Sequence, residues 1–148
     1  MYGQGVIIFN KERVMSGVSY RNIRCDIANY TVSVLIVDDD DNILELTSEI
    51  LRTLGYDVLT ARSALEALAI LRSNPQLSIL FTDIQMPHMG GEELAEIASA
   101  VRPDIRVIFT SGCGLPRTAA PFLQKPYKAA DLVRVLASQP PPTLRSCL

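Results

Sequence analysis

The sequence predicts an α/β fold: a doubly wound, five-stranded parallel sheet covered by helices on both sides. Three observations lead there. Short apolar runs rich in β-branched residues alternate with helix-period segments between residues 32 and 136. Gly, Pro or Asn marks most of the joints. Strands alternating with helices of this length require parallel pairing through right-handed crossovers. The 148 residues are 48% hydrophobic and 20% charged, enough for one domain with a real core.

The elements follow in order. Residues 32–37 form a buried strand. The helix over 42–54 sets Ile43, Leu46, Ile50 and Leu54 on one face, with Gly55 as its stop. A second strand covers 56–60. Ser63 then N-caps a helix over 64–71, with Glu66 completing a capping box, and Asn74-Pro75 breaks it. The third strand is 77–82, followed by a loop over 83–91 and a helix over 92–101. Glu92 and Glu93 suit the positive end of that helix. After Pro103 come strands at 105–109 and 122–124 and a last helix at 129–136. Residues 1–31 lack this periodicity (Val6 to Phe9 could be a short strand) and read as an extension. Residues 139–148, with Pro140-Pro141-Pro142, read as a Pro-rich tail. The folded domain is therefore expected over 32–138.

Composition excludes several functions. The net charge of -2 comes without a Lys/Arg stripe, which argues against nucleic acid or an anionic membrane as partner. No apolar run approaches the roughly 20 residues that span a bilayer. The apolar stretch before Lys11 and Arg13 has the wrong order and length for a secretory signal. Cys25, Cys113 and Cys147 are odd in number and far apart, so they read as reduced thiols in the cytoplasm.

In open parallel sheets functional groups collect beyond the carboxyl ends of the strands. Here those ends carry Asp38-Asp39-Asp40-Asp41, Thr82-Asp83, Thr110-Ser111 and Lys125-Pro126. Clustered carboxylates repel one another, and a hard divalent cation relieves them through oxygen ligands. A carboxylate can be the nucleophile that forms an acyl phosphate. A fixed ammonium clamps the charged phosphoryl oxygens, and a nearby hydroxyl can bind one of them. Taken singly, the Asp run is equally a solvated helix start, Asp83 a loop cap, Thr110-Ser111-Gly112 a turn, and Lys125 a solvent-facing lysine. Their conjunction at four strand ends is what points to phosphoryl transfer.

The segments VLIVDDDDN (34–42), LFTDIQMPHMGGEEL (80–94), VIFTSG (107–112) and FLQKPY (122–127) resemble the receiver domains of two-component response regulators, in order and in spacing. The resemblance implies the flavodoxin-like receiver fold and a set of roles. Asp83 falls on the phosphoacceptor. Asp38, Asp39, Asp83 and the backbone carbonyl of Gln85 fall on the Mg²⁺ ligands. Lys125 and Thr110 fall on the residues that contact the phosphoryl group, and Thr110 with Phe122 on the switch pair. The phosphoryl donor would be a histidine kinase or a histidine phosphotransfer protein. Phosphorylation would switch a protein–protein contact or pass the group on in a phosphorelay, with no catalysis beyond the domain's own phosphorylation and dephosphorylation.

Asp40 and Asp41 read as caps of the first helix, and His88 as an exposed loop residue. Met86, Met89, Gly90 and Gly91 read as loop geometry. Only 14 residues separate Thr110 from Lys125, and they include Gly112, Gly114, Pro116 and Pro121. The helix expected there should be short or missing, which leaves dimerisation on that face open. No output domain fits after the last helix, so the expectation is a stand-alone receiver or one from a hybrid histidine kinase. Leu44, Glu45, Ser48 and Arg52 of the first helix are the expected docking surface for its partner.

Two other readings stand beside this one. Haloacid dehalogenase-type phosphatases share an Asp38-x-Asp40, Thr110 and Lys125 pattern. They need a later acidic pair, however, and Asp131 is the only acid after Lys125. The third reading is a receiver fold that binds a partner without being phosphorylated.

Overall fold

In the computed structural model, residues 31–138 are described. The N-terminal extension, the strand at Val6 to Phe9, the Pro-rich tail, Cys25 and Cys147 lie outside them. Five strands form one all-parallel sheet: β1 (Ser33–Val37), β2 (Asp57–Ala61), β3 (Leu77–Asp83), β4 (Arg106–Ser111) and β5 (Phe122–Gln124), in the order β2-β1-β3-β4-β5. Four helices connect or follow them: α1 (Asp41–Thr53), α2 (Ala64–Ser73), α3 (Gly91–Val101) and α4 (Ala129–Ala137). Every element expected within the described residues is present, with ends shifted by no more than two residues. No helix among the described residues is long and apolar enough to cross a membrane.

Side-chain alternation along the strands divides the core into two layers. Val34 and Ile36 join Leu44, Leu51, Phe81, Ile108, Leu132 and Leu136 under α1 and α4. Leu35 and Val37 join Ala64, Leu68, Leu71, Leu80, Leu94 and Ala98 under α2 and α3. The chain leaves β1 toward β2 on one side and then crosses back to β3 and β4 on the other. Right-handed crossovers must therefore place α1 on one face and α2 and α3 on the opposite one. The reversal opens a crevice between the carboxyl ends of β1 and β3, where the site lies.

The helix ends show local causes. Asp40 caps α1, its Oδ1 accepting from the Asn42 amide at 2.9 Å. At the other end Gly55 adopts φ 92°, its amide donates to the Arg52 carbonyl, and the Tyr56 amide donates to that of Leu51, the paired bonds of a Schellman stop. Ser63 caps α2 by accepting from the Glu66 amide at 3.2 Å, but Glu66 reaches back to the amide of Arg62 rather than to that of Ser63. The expected capping box is thus offset by one residue.

Two expectations about α1 are corrected. Its buried residues are Leu44, Thr47, Ser48 and Leu51, whereas Leu46 and Leu54 are exposed. Apolar residues surround much of this helix, so two faces compete in the sequence, and the sheet selects the one with the tighter i, i+3, i+4, i+7 spacing. Leu44 and Ser48 therefore lie on the buried side of α1 while Glu45 and Arg52 are exposed, and all four line one open pocket with Thr60 and Arg62. The missing helix is confirmed: residues 112–121 contain no helix, and the segment is held instead by Arg117. Its amide and Nε donate to the two Glu92 carboxylate oxygens at 2.6 and 2.8 Å. These bonds hold the Glu92 carboxyl below its usual range, the backbone amide contributing most.

Candidate functional site

Asp38 lies one residue beyond β1, Asp83 is the last residue of β3, and Lys125 follows β5 directly. The sheet order puts β1 beside β3, so the two carboxylates face each other across the crevice. Lys125 reaches back over β4, and its Nζ donates to Asp38 Oδ2 at 2.5 Å and to Asp83 Oδ2 at 2.9 Å. The other oxygens are also bound: Asp38 Oδ1 accepts from the Asp40 amide at 3.0 Å, and Asp83 Oδ1 from the Gln85 amide at 3.1 Å. Both carboxylates are therefore held in orientation at each end.

Burial dominates the electrostatics of Asp38. It pushes the carboxyl above its usual range, against the opposing hydrogen bonds from Lys125 and the Asp40 amide. For Lys125 the balance falls the other way. Burial disfavours its charge, but hydrogen bonds and attraction to Asp38 and Asp83 outweigh this and raise its pKa.

Asp38, Asp39 and Asp83 each offer a carboxylate oxygen, and these oxygens lie within 4.8 Å of one another. Three carboxylates against one ammonium leave uncompensated negative charge around a set of hard oxygen donors. That donor set fits a divalent cation of the Mg²⁺ type. Asp40 is exposed and occupied with its helix, so the Asp38-x-Asp40 arrangement of the phosphatase reading is not assembled. Asp41 pairs with Arg62 at 2.5 Å on the surface.

Thr110 is buried and is the register partner of Asp83 in the parallel pair β3–β4, and its carbonyl accepts from the Ile84 amide. Phe122 begins β5, half-buried, opposite Phe109 rather than beside any carboxylate. Gln85 enters through its amide. His88 is exposed, with φ 68°.

Two features were not legible as site features. A Cβ at Gly91 would lie 1.9 Å from the Asp83 carbonyl oxygen and 3.0 Å from Thr82 Oγ1. Only glycine lets α3 start so close to the residue that carries the carboxylate. The pair Gly90-Gly91 before a helix was the available signal, and it read as loop geometry alone. The second is Tyr127. Its hydroxyl shares a 2.9 Å hydrogen bond with Thr47, and its ring packs edge-on against Phe81.

Comparison with known proteins gives a consistent result. Residues 34–137 match the model of the response regulator receiver domain family. The response regulator receiver protein CpdR of Brucella abortus (strain 2308) is 33% identical over 108 residues, covering 68% of this chain and 89% of CpdR. The sensor kinase CckA of the same organism is 33% identical over 111 residues, 69% of this chain but only 12% of CckA. Among solved structures, a CheY-like receiver domain protein from Methanospirillum hungatei JF-1 superposes with a TM-score of 0.67 at 33% identity, covering 73% of this chain and 92% of that one.

Proposed function

The chain belongs to the response regulator receiver domain family, and we propose that it works by accepting a phosphoryl group from a phosphohistidine on Asp83. As a receiver domain it serves two-component signal transduction. The observation that carries the assignment of Asp83 is the bridge from Lys125 Nζ to Asp38 and Asp83 at the switch point of the sheet. It joins three strand ends that are far apart in sequence around one carboxylate, and that carboxylate is oriented by the Gln85 amide.

In the proposed transfer an Asp83 carboxylate oxygen forms a bond to phosphorus while the phosphorus–nitrogen bond of the donor breaks. The electron pair leaves on the imidazole nitrogen. Lys125 moves its hydrogen bonds from the carboxylates to a phosphoryl oxygen, and the Thr110 hydroxyl binds another. Thr110 and Phe122 then act as the switch pair. Asp38, Asp39, Asp83 and the Gln85 backbone carbonyl would hold Mg²⁺, which supplies charge neutralisation on the transferred group. The domain catalyses only its own phosphorylation and dephosphorylation.

The proposed domain is 32–138, with 1–31 and 139–148 flanking it, and the proposed location is the cytoplasm. The donor is a histidine kinase or a histidine phosphotransfer protein, a reading supported by the likeness to CckA, a sensor kinase. An apolar groove lined by Ile43, Leu46, Pro126 and Tyr127 lies beside Lys125, and a second, polar pocket is lined by Leu44, Glu45, Ser48 and Arg52, the docking residues expected from the sequence. Incubation with acetyl phosphate and Mg²⁺, followed by intact mass, tests the assignment. Wild type should gain one phosphoryl group, labile to hydroxylamine, and Asp83→Asn should gain none. A modified Asp83→Asn protein would refute it.

A further inference from the structure

Lys125 has to hold a long, flexible side chain against carboxylates from two other strands, yet its own backbone is weakly anchored. β5 has three residues and follows a segment without a helix. The Lys125 amide donates to the Ser111 carbonyl at 2.8 Å, and Pro126 has no N–H to add a second bond. The next side chain supplies the missing anchor. The Tyr127 ring meets Phe81 edge-on, with centroids 6.1 Å apart, and Phe81 lies two residues before Asp83 on β3. Its hydroxyl meets Thr47, which is fully buried on α1, the helix that starts just after Asp38 and Asp39. Tyr127 is thus tied to the same two segments that carry the carboxylates gripped by Lys125.

Thr47 sharpens the point. It lies on the buried face of α1 between Leu44 and Leu51, where an aliphatic residue would pack without needing a partner. Its hydroxyl is paired with Tyr127, 80 residues away.

We propose that Tyr127 and Thr47 are positioning residues that hold Lys125 over Asp38 and Asp83. The proposal rests on Lys125 contacting the phosphoryl group as described above. It makes a second demand that does not depend on phosphorylation. Lys125 occupies the carboxylate oxygens a cation needs, so a looser Lys125 competes less with Mg²⁺.

The test uses the full chain with Tyr127→Phe, Thr47→Val, the double variant and Lys125→Met. Acetyl phosphate needs no partner protein, so the groove near Tyr127 does not enter the readout. Phosphorylation of Tyr127→Phe should slow roughly three- to tenfold, the effect of one lost hydrogen bond on the placement of the lysine. The double variant should be no slower than the slower single one, because both remove the same bond. In the absence of phosphodonor, Mg²⁺ affinity of Tyr127→Phe by calorimetry should rise toward that of Lys125→Met. Unchanged Mg²⁺ affinity, or affinity falling with the rate as general loosening would produce, overturns the proposal. A wild type that takes no phosphoryl group would refute the Asp83 assignment instead, and the Mg²⁺ comparison would still decide the role of Tyr127.

Discussion

Gly91→Ala is the sharpest perturbation available, because a single methyl group is added where the backbone has no room. The new Cβ would sit 1.9 Å from the Asp83 carbonyl oxygen and 2.8 Å from its carbon. An ordinary carbon–oxygen contact is roughly 3.3 Å, so the start of α3 and the end of β3 must separate by about 1.4 Å. Neither neighbour is a flexible side chain. The carbonyl is also the acceptor of the Thr82 hydroxyl at 3.0 Å, and the Gly91 amide donates to Ile84 at 2.9 Å. Overpacking of this kind costs about 2–3 kcal/mol. For a unit of this size that lowers Tm by roughly 10–20 °C. A displacement near 1 Å at Asp83, the proposed nucleophile, should slow phosphorylation on the order of a hundredfold. Melting by circular dichroism and mass-detected phosphorylation by acetyl phosphate measure both. Gly90→Ala, whose Cβ would stand 3.0 Å from the Ile84 carbonyl, should cost less, and Gly112→Ala, which meets nothing within 4 Å, should be near neutral. If Gly91→Ala melts and reacts like wild type, the close approach of α3 to Asp83 is wrong.

Two further outcomes follow from named contacts. The pKa of Lys125 is raised above its ordinary 10.5 in the folded protein, so its ion pairs stabilise the fold fully below that value and are lost as pH rises through the higher folded one. The stability difference between wild type and Lys125→Met, taken from urea unfolding in EDTA, should therefore be flat from neutral pH to about 10 and shrink above it; a difference already shrinking between pH 7 and 9 would contradict the contact. The Arg102 guanidinium donates to the carbonyls of Leu71, Asn74 and Leu77, joining the end of α3 to the turn between α2 and β3. Arg102→Ala should lower unfolding stability by about 1.5–3 kcal/mol with phosphorylation unchanged, and a slower phosphorylation would show that the effect reaches the site.

Much of this protein is legible in local pattern. The apolar runs at β1, β3 and β4 are buried on both sides, and continuous runs are what such strands require. The helix stop at Gly55 and the Asp40 cap follow from backbone needs that a few neighbouring residues satisfy. Gly and Pro between β4 and β5 remove a helix for equally local reasons. Even the site was visible as residue types at strand ends, because parallel topology brings those ends to one edge.

Other features depended on where distant segments come to rest. Apolar residues alone could not choose between two faces of α1, and packing against Phe81 and Ile108 chose the one with Leu44 and Leu51. Thr47 interrupts the apolar residues on that face, and its hydroxyl is paired with Tyr127, 80 residues away. Gly91 looked like a loop residue until α3 was set against the Asp83 carbonyl. The sequence by itself determined which elements form and which chemistry their ends carry, because periodicity and capping act over a few residues. The tertiary structure decided which face is buried, which polar groups pair and how closely the backbones approach, because those depend on contacts between segments tens of residues apart.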